Sequence, residues 1–308
     1  MEKIVITENL QGSKIAAGCM RIKDMDFQAA DNFVRSCLDE GVDYFDHADI
    51  YGGNGKCEEV FGAVLKADKS LRGRMKLQTK CGIRKMPFGT MFDFSYEHII
   101  KSAEGSLKRL QTEQLDVLLL HRPDTLMQPE EIAKAFRELN KSGKVKYFGV
   151  SNQNPGQIEL INRALDKPVK INQLQLSALF TGMIDAGFNV NMKTDAAVNR
   201  DGGVLEYCRL NGITLQAWCP YTHPWNEVFI GSDKYPALNN VLERAARKYG
   251  VSSTGIAAAF ILRHPAKWQV VTGTTKPSRM KEICAAADIK LTREEWYEIY
   301  LSAGNKLP

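Results

Sequence analysis

Residues 115–121 read Leu-Asp-Val-Leu-Leu-Leu-His. A strand with one wet face alternates apolar and polar residues, and this run barely does. It reads as a strand buried on both faces, as in a parallel sheet covered by helices. Outward from it, short aliphatic or β-branched runs alternate with longer amphipathic stretches along nearly the whole chain. Strands are expected at Lys14–Gly18, Val42–Ala48, Lys76–Cys81, Leu115–His121, Lys144–Ser151, Ile171–Leu176, Ile213–Trp218 and Gln269–Gly273. Helices are expected at Phe27–Leu38, Cys57–Leu65, Tyr96–Leu110, Pro129–Ser142, Pro155–Leu165, Gly203–Leu210, Pro236–Tyr249, Ser253–Leu262 and Pro277–Ala286. Pro129 and Pro155 suit first-turn positions, and Gly143 and Gly250 suit helix ends.

Eight strand-then-helix units predict an α/β fold, a (β/α)8 TIM barrel. An open doubly wound sheet is the competing architecture, but no G-x-G-x-x-G follows the first strand. Met1–Gln11 is expected to form a small hairpin closing one end. Thr292-Arg-Glu-Glu295 has capping-box spacing and predicts an extra C-terminal helix. Thr181–Gly202 and Tyr221–Lys234 are long for barrel loops. With no linker or low-complexity segment, residues 1–308 read as a single domain.

Composition narrows the class. The 308 residues are 44% hydrophobic and 25% charged, and no apolar run approaches the ~20 residues that span a bilayer. The amino terminus lacks a charged-then-apolar targeting segment. The seven cysteines are scattered without a C-x-x-C, so a reducing, cytoplasmic setting is expected. A net charge of +5 suits a phosphorylated small molecule, while the lack of a basic run argues against nucleic acid. The five histidines show no metal-ligand spacing, and Gly52-Gly-Asn-Gly-Lys56 departs from a Walker A, reading instead as a flexible turn.

In a barrel, polar residues at the carboxyl ends of strands gather round one mouth. Asp46, Tyr51 five residues on, Lys80 and His121 all stand there. Strand alternation puts Asp46 and Lys80 on core-facing positions, where unpaired charges are costly, so the two are expected to pair. A tyrosine of pKa ~10 is a poor proton donor near neutrality unless a neighbouring ammonium favours its phenolate. Lys80 is expected to lower the Tyr51 pKa, Asp46 to aim Lys80, and His121 to orient a substrate carbonyl. Each also has a plain structural reading: loop anchor, packed aromatic, solvated charge and core histidine.

Taken in this order, the four residues resemble the catalytic tetrad of the aldo-keto reductase family. Asp-Ile-Tyr-Gly-Gly (49–53), Leu-Leu-His-Arg-Pro-Asp (119–124), Gly-Val-Ser-Asn (149–152) and Arg-Asp-Gly-Gly (200–203) resemble its motifs. The His-Arg-Pro-Asp form is most similar to a bacterial oxidoreductase branch. The resemblance runs from about Lys14 to the carboxyl terminus. It implies NADPH bound across the barrel mouth, with Ser151, Asn152 and Gln173 on the nicotinamide carboxamide. Trp218 stands where the family commonly stacks a tyrosine on the nicotinamide. Met20 and Cys219 join these cofactor contacts, Cys219 replacing a serine.

The resemblance also implies a site for the adenosine 2′-phosphate over Gly273, Thr274, Thr275, Lys276 and Arg279, with Glu282 near the adenine. Ile283 then sits where an asparagine often follows. A phosphate at 273–279 would meet free backbone N–H groups, two hydroxyls and two cations. The simpler readings are a plain helix start there, and Ser151-Asn152 as a cap for the next helix. Substrate contacts are expected from Met20, Phe88, Met91, Phe92 and Trp225.

The activity implied is NADPH-dependent reduction of a small-molecule aldehyde or ketone to an alcohol, with Tyr51 as general acid. Two alternatives stay open: a cofactor-binding regulatory barrel without turnover, and a lyase or isomerase using Lys80 as a Schiff-base nucleophile.

Overall fold

The computed structural model describes residues 1–224 and 226–308, so Trp225 lies outside the described residues. Strands β1 (Lys3–Thr7) and β2 (Leu10–Ser13) form an antiparallel hairpin. Eight parallel strands then close into a barrel. They are β3 (Ile15–Gly18), β4 (Tyr44–Asp46), β5 (Lys76–Cys81), β8 (Leu115–Leu120), β9 (Val145–Ser151), β10 (Ile171–Gln175), β11 (Thr214–Trp218) and β12 (Trp268–Thr272). β12 pairs back onto β3 to close the ring. Between β5 and β8, β6 (Ile83–Met86) and β7 (Gly89–Phe92) make a second antiparallel hairpin.

Helices α1 (Phe27–Asp39), α2 (Lys56–Ala67), α3 (Tyr96–Arg109), α4 (Pro129–Lys141) and α5 (Pro155–Asn162) follow the first five barrel strands in turn. α6 (Gly182–Phe188) and α7 (Val204–Leu210) follow β10, α8 (Pro236–Tyr249) and α9 (Ser253–Arg263) follow β11, and α10 (Pro277–Ala285) and α11 (Arg293–Ser302) follow β12. Local chemistry sets their ends. Pro129 and Pro155 occupy first-turn positions, and Gly250 ends α8 in the left-handed region at φ +67°. Thr292 and Glu295 form the reciprocal capping box of α11. Among the described residues no helix is long and apolar enough to cross a membrane.

The apolar core has two parts because the barrel strands are buried on both faces. Leu118 and Leu120 of β8 face outward among helix residues such as Phe33, Phe61 and Phe136. Val117 and Leu119 face inward with Tyr44, Ile171 and Val271, where Ile6 and Leu10 of the first hairpin join them. That hairpin closes the lower end of the barrel.

The interior above this plug is polar. Gln269 donates to the Ser13 carbonyl (2.7 Å), Gln216 donates to Gln269 (2.8 Å), and Gln78 and Gln173 both donate to Gln216 (2.8 and 3.0 Å). Gln78 and Gln173 also donate to Asp46 (2.5 and 3.0 Å). A chain of buried amides thus rises from the plug to the upper rim.

Besides the β6–β7 hairpin and a 3-10 turn at Lys69–Arg74, which fall where no element was expected, three expected segments differ from those observed. The strand expected over Val42–Ala48 is only Tyr44–Asp46, because the chain turns at Ala48, whose carbonyl accepts the Tyr51 N–H. The helix expected to Leu165 stops at Asn162 and continues as a turn. Within Thr181–Gly202, expected to be loop, α6 and a 3-10 turn at Asp195–Ala197 form, with Met183 and Ile184 buried.

Candidate active site

Asp46 ends β4, and both its carboxylate oxygens lie 2.7 Å from Lys80 Nζ of β5. The ammonium also donates to the His47 carbonyl (2.8 Å) and to the Tyr51 hydroxyl (3.3 Å). Lys80 is fully buried, with its charge met on every side. Burial works to lower its pKa, yet the Asp46 carboxylate and the Tyr51 oxygen hold it above the usual lysine value. The expected pairing of Asp46 with Lys80 is present.

Tyr51 is placed by a tight loop rather than a flexible one. Its N–H donates to the Ala48 carbonyl (3.0 Å) and its carbonyl accepts from Cys57 (3.3 Å). Gly52 is at φ +73°, and a Cβ there would meet Lys23 at 2.8 Å and Cys57 Sγ at 2.9 Å. His121 follows β8 with its ring edge-on to Tyr51, centroids 6.0 Å apart. Burial, with Lys80 and Arg122 nearby, pushes its pKa well below the usual histidine value, so the ring is neutral.

The influence of Lys80 on Tyr51 has the expected sign but does not set the net shift. Lys80 does favour the Tyr51 phenolate, but enclosure of the phenol outweighs it and the Tyr51 pKa lies above its ordinary value. Tyr51 therefore stands as a protonated hydroxyl beside a permanent cation.

Asp46, Tyr51 and His121 line a cavity of about 540 Å³, with Lys80 sealed behind them. Met20, Ser151, Asn152, Gln173, Trp218, Cys219 and Gly273 line it, as expected. Trp218 donates through Nε1 to Asn152 Oδ1 (3.1 Å), and Asn152 Nδ2 donates to Ser151 Oγ (2.8 Å) and the His121 carbonyl (3.3 Å). Ser151-Asn152 does not cap α5. That role belongs to Asn154 and Gln157, which form a capping box. Asn152 (φ +58°) and Cys219 (φ +51°) both adopt left-handed backbone where their strands end, a conformation that re-aims the chain around the mouth.

Thr274, Thr275, Lys276, Arg279 and Glu282 are not on the cavity wall. They continue from Gly273 into α10, whose N-cap Lys276 provides no side-chain cap. Its first N–H groups are thus open beside two exposed cations. A flat indole at one strand end and an uncapped, cationic helix start at the next fit a phosphorylated dinucleotide lying across the mouth.

Phe88, Met91 and Phe92 lie on the β6–β7 hairpin and are not part of the lining; Phe88 is 77% exposed. Only Ile83 of that hairpin reaches the wall. Sequence reading missed Arg21, whose guanidinium donates to the Gly273 carbonyl (3.2 Å), and Arg122, stacked over Trp218 at 5.5 Å. Both follow strand ends, where alternation no longer says which way a side chain turns.

An eight-stranded parallel barrel with a phenol, an ammonium, a carboxylate and an imidazole at its carboxyl-end mouth defines a class of oxidoreductase barrels. Residues 14–300 match the model of the aldo/keto reductase family, and the chain belongs to that family. It is similar to the oxidoreductase YcsN of Bacillus subtilis, with 34% identity over 311 residues and 97% of each chain covered. It is equally similar, at 34% over 316 residues and 99% of each chain, to a 6-dehydroglucose reductase of Agrobacterium fabrum. An aldo/keto reductase of Klebsiella pneumoniae, solved in complex with NADP and acetate, shares the fold. Its TM-score is 0.76 at 22% identity, covering 97% of this chain and 94% of that one.

Proposed function

We propose that the protein reduces an aldehyde or ketone to an alcohol with NADPH as reductant. The observation that carries this reading is the Tyr51 hydroxyl, held 3.3 Å from an ammonium that Asp46 locks in place, at the floor of an open cavity. NADPH, when bound, supplies the hydride that reaches the carbonyl carbon.

Tyr51 gives its proton to the carbonyl oxygen as that oxygen becomes an alkoxide. Lys80 stabilises the phenolate left behind, at no cost of reorganisation because it is already in place. Neutral His121 offers a hydrogen bond that orients the carbonyl. Trp218 gives the nicotinamide a flat wall, and Ser151, Asn152 and Gln173 on the cavity wall suit its carboxamide. Lys276 and Arg279, with the open start of α10, suit the 2′-phosphate. Lys80 itself is sealed and protonated, which argues against a Schiff-base role.

Tyr51→Phe tests the reading. Turnover of aldehydes, followed by NADPH absorbance, should fall at least about a thousandfold, within the range ascribed to general acid catalysis. The Kd for NADPH, measured by fluorescence titration, should stay within about twofold. Residual turnover with lost coenzyme binding would refute the assignment. Tight NADPH binding by the wild type with no turnover of any carbonyl would favour a regulatory barrel instead.

A further inference from the structure

We infer that the substrate carries an anionic group, a carboxylate or a phosphate, which Arg122 receives on the Tyr51 side of the cavity. This rests on the carbonyl-reductase reading above and deepens it. Arg122 directly follows His121, and its backbone is pinned from both sides. The His121 N–H donates to the Cys81 carbonyl (2.9 Å), while Asp124 accepts from Phe94 N and Leu126 N (2.8 Å each). The guanidinium lines the cavity, half-buried, over the indole of Trp218.

No carboxylate answers it. Among the described residues Arg122 makes no ion pair or hydrogen bond; burial lowers its pKa, and the electrostatic influence opposing this is the Tyr51 oxygen. The other charged residues on the described cavity wall are Arg21 and Asp46. Asp46 is neutralised by Lys80, and Arg21 is turned toward Gly273, where the coenzyme phosphates are proposed to lie. Arg122 is therefore the cation that neither the tetrad nor the proposed coenzyme contacts account for.

A half-buried guanidinium loses hydration that a bidentate oxyanion restores, and stacking on an indole leaves its N–H edges free to make that contact. Ile50 and Ile83 give the same cavity apolar wall, which lowers the local polarity and strengthens such a pair. An indole has two faces, so an arginine on one leaves the other for a pyridine ring.

The experiment compares matched pairs of substrates: 4-carboxybenzaldehyde with methyl 4-formylbenzoate, and glyceraldehyde 3-phosphate with glyceraldehyde. In the wild type, kcat/KM should favour the anion by about tenfold or more in at least one pair, the pair identifying the anion. In Arg122→Met and Arg122→Gln that ratio should collapse toward unity through KM, while the NADPH Kd is kept. Turnover of neutral and anionic aldehydes alike, without preference, overturns this inference and leaves the reductase reading standing. A parallel loss of NADPH affinity in both variants moves Arg122 to the coenzyme and also overturns it. No turnover of any aldehyde by the wild type overturns both.

Discussion

Asp49, three residues beyond Asp46, shows how the loop that positions Tyr51 has been drawn inside. Its N–H continues the ladder to the Lys80 carbonyl (3.0 Å). Burial, with Glu58 adding to it and Arg109 opposing, raises its carboxyl from 3.8 to about 7. The native state therefore keeps this proton through a window in which the unfolded chain has released it. Between those two values the folded form binds more protons, so Asp49 contributes stability that is lost as pH rises from about 4 to about 7. Asp49→Asn should remove that slope. Relative to the variant, the wild type should lose on the order of 3 kcal/mol across the window, read from urea midpoints at its two ends.

At this scale the sequence was most informative where a charge fell on an inward strand position, as with Asp46 and Lys80. It was silent about Arg122 and Arg21, whose directions depend on how loops leave the strands.

Helices α2 and α3 hold that loop from behind. Arg109 at the end of α3 donates to Glu58 of α2 (2.7 Å), and Glu58 accepts from Thr79 (2.5 Å), the neighbour of Lys80. The contact is close enough to exclude a side chain at Gly62, where a Cβ would lie 1.9 Å from the Arg109 carbonyl oxygen. Gly62→Ala should cost about 1–3 kcal/mol through overpacking, lowering the thermal midpoint by several degrees. Gly73→Ala, where nothing lies within 4 Å, is the control and should be close to neutral.

Elements with strong punctuation were legible. Pro236–Tyr249, with proline in its first turn and glycine at its end, has the expected bounds. The second hairpin was not foreseen, since Ile83–Phe92 mixes charged and apolar residues on both faces and packs only partly. α6 was hidden because Gly182 and Gly187 depress helix propensity; burial of Met183 and Ile184 outweighs them.

The eight-unit repeat was visible from end to end, so the barrel, its lower hairpin and its last helix were all anticipated. What periodicity could not show is that the inner layers above the plug are amide rather than aliphatic, because a glutamine on a strand reads as solvent-facing. Gln216 is the junction of that network, bonded to Gln78, Gln173 and Gln269. Gln216→Leu would take one partner from each of Gln78, Gln173 and Gln269; each keeps a bond to Asp46 or the Ser13 carbonyl, while Gln269 Oε1 loses its donor. A loss of roughly 1–3 kcal/mol is expected, the cost of one unsatisfied buried polar group. Denaturant unfolding measures this, and an unchanged midpoint would show that the chain of amides is dispensable.

The hairpin at the base has a consequence for traffic. With Ile6 and Leu10 stoppering the bottom, the reaction chamber is a cul-de-sac, and everything that enters must leave by the same door. Whichever molecule lies deeper has to arrive first and depart last, so the queue at the entrance sets the order of events and an excess of the outer guest traps the inner one.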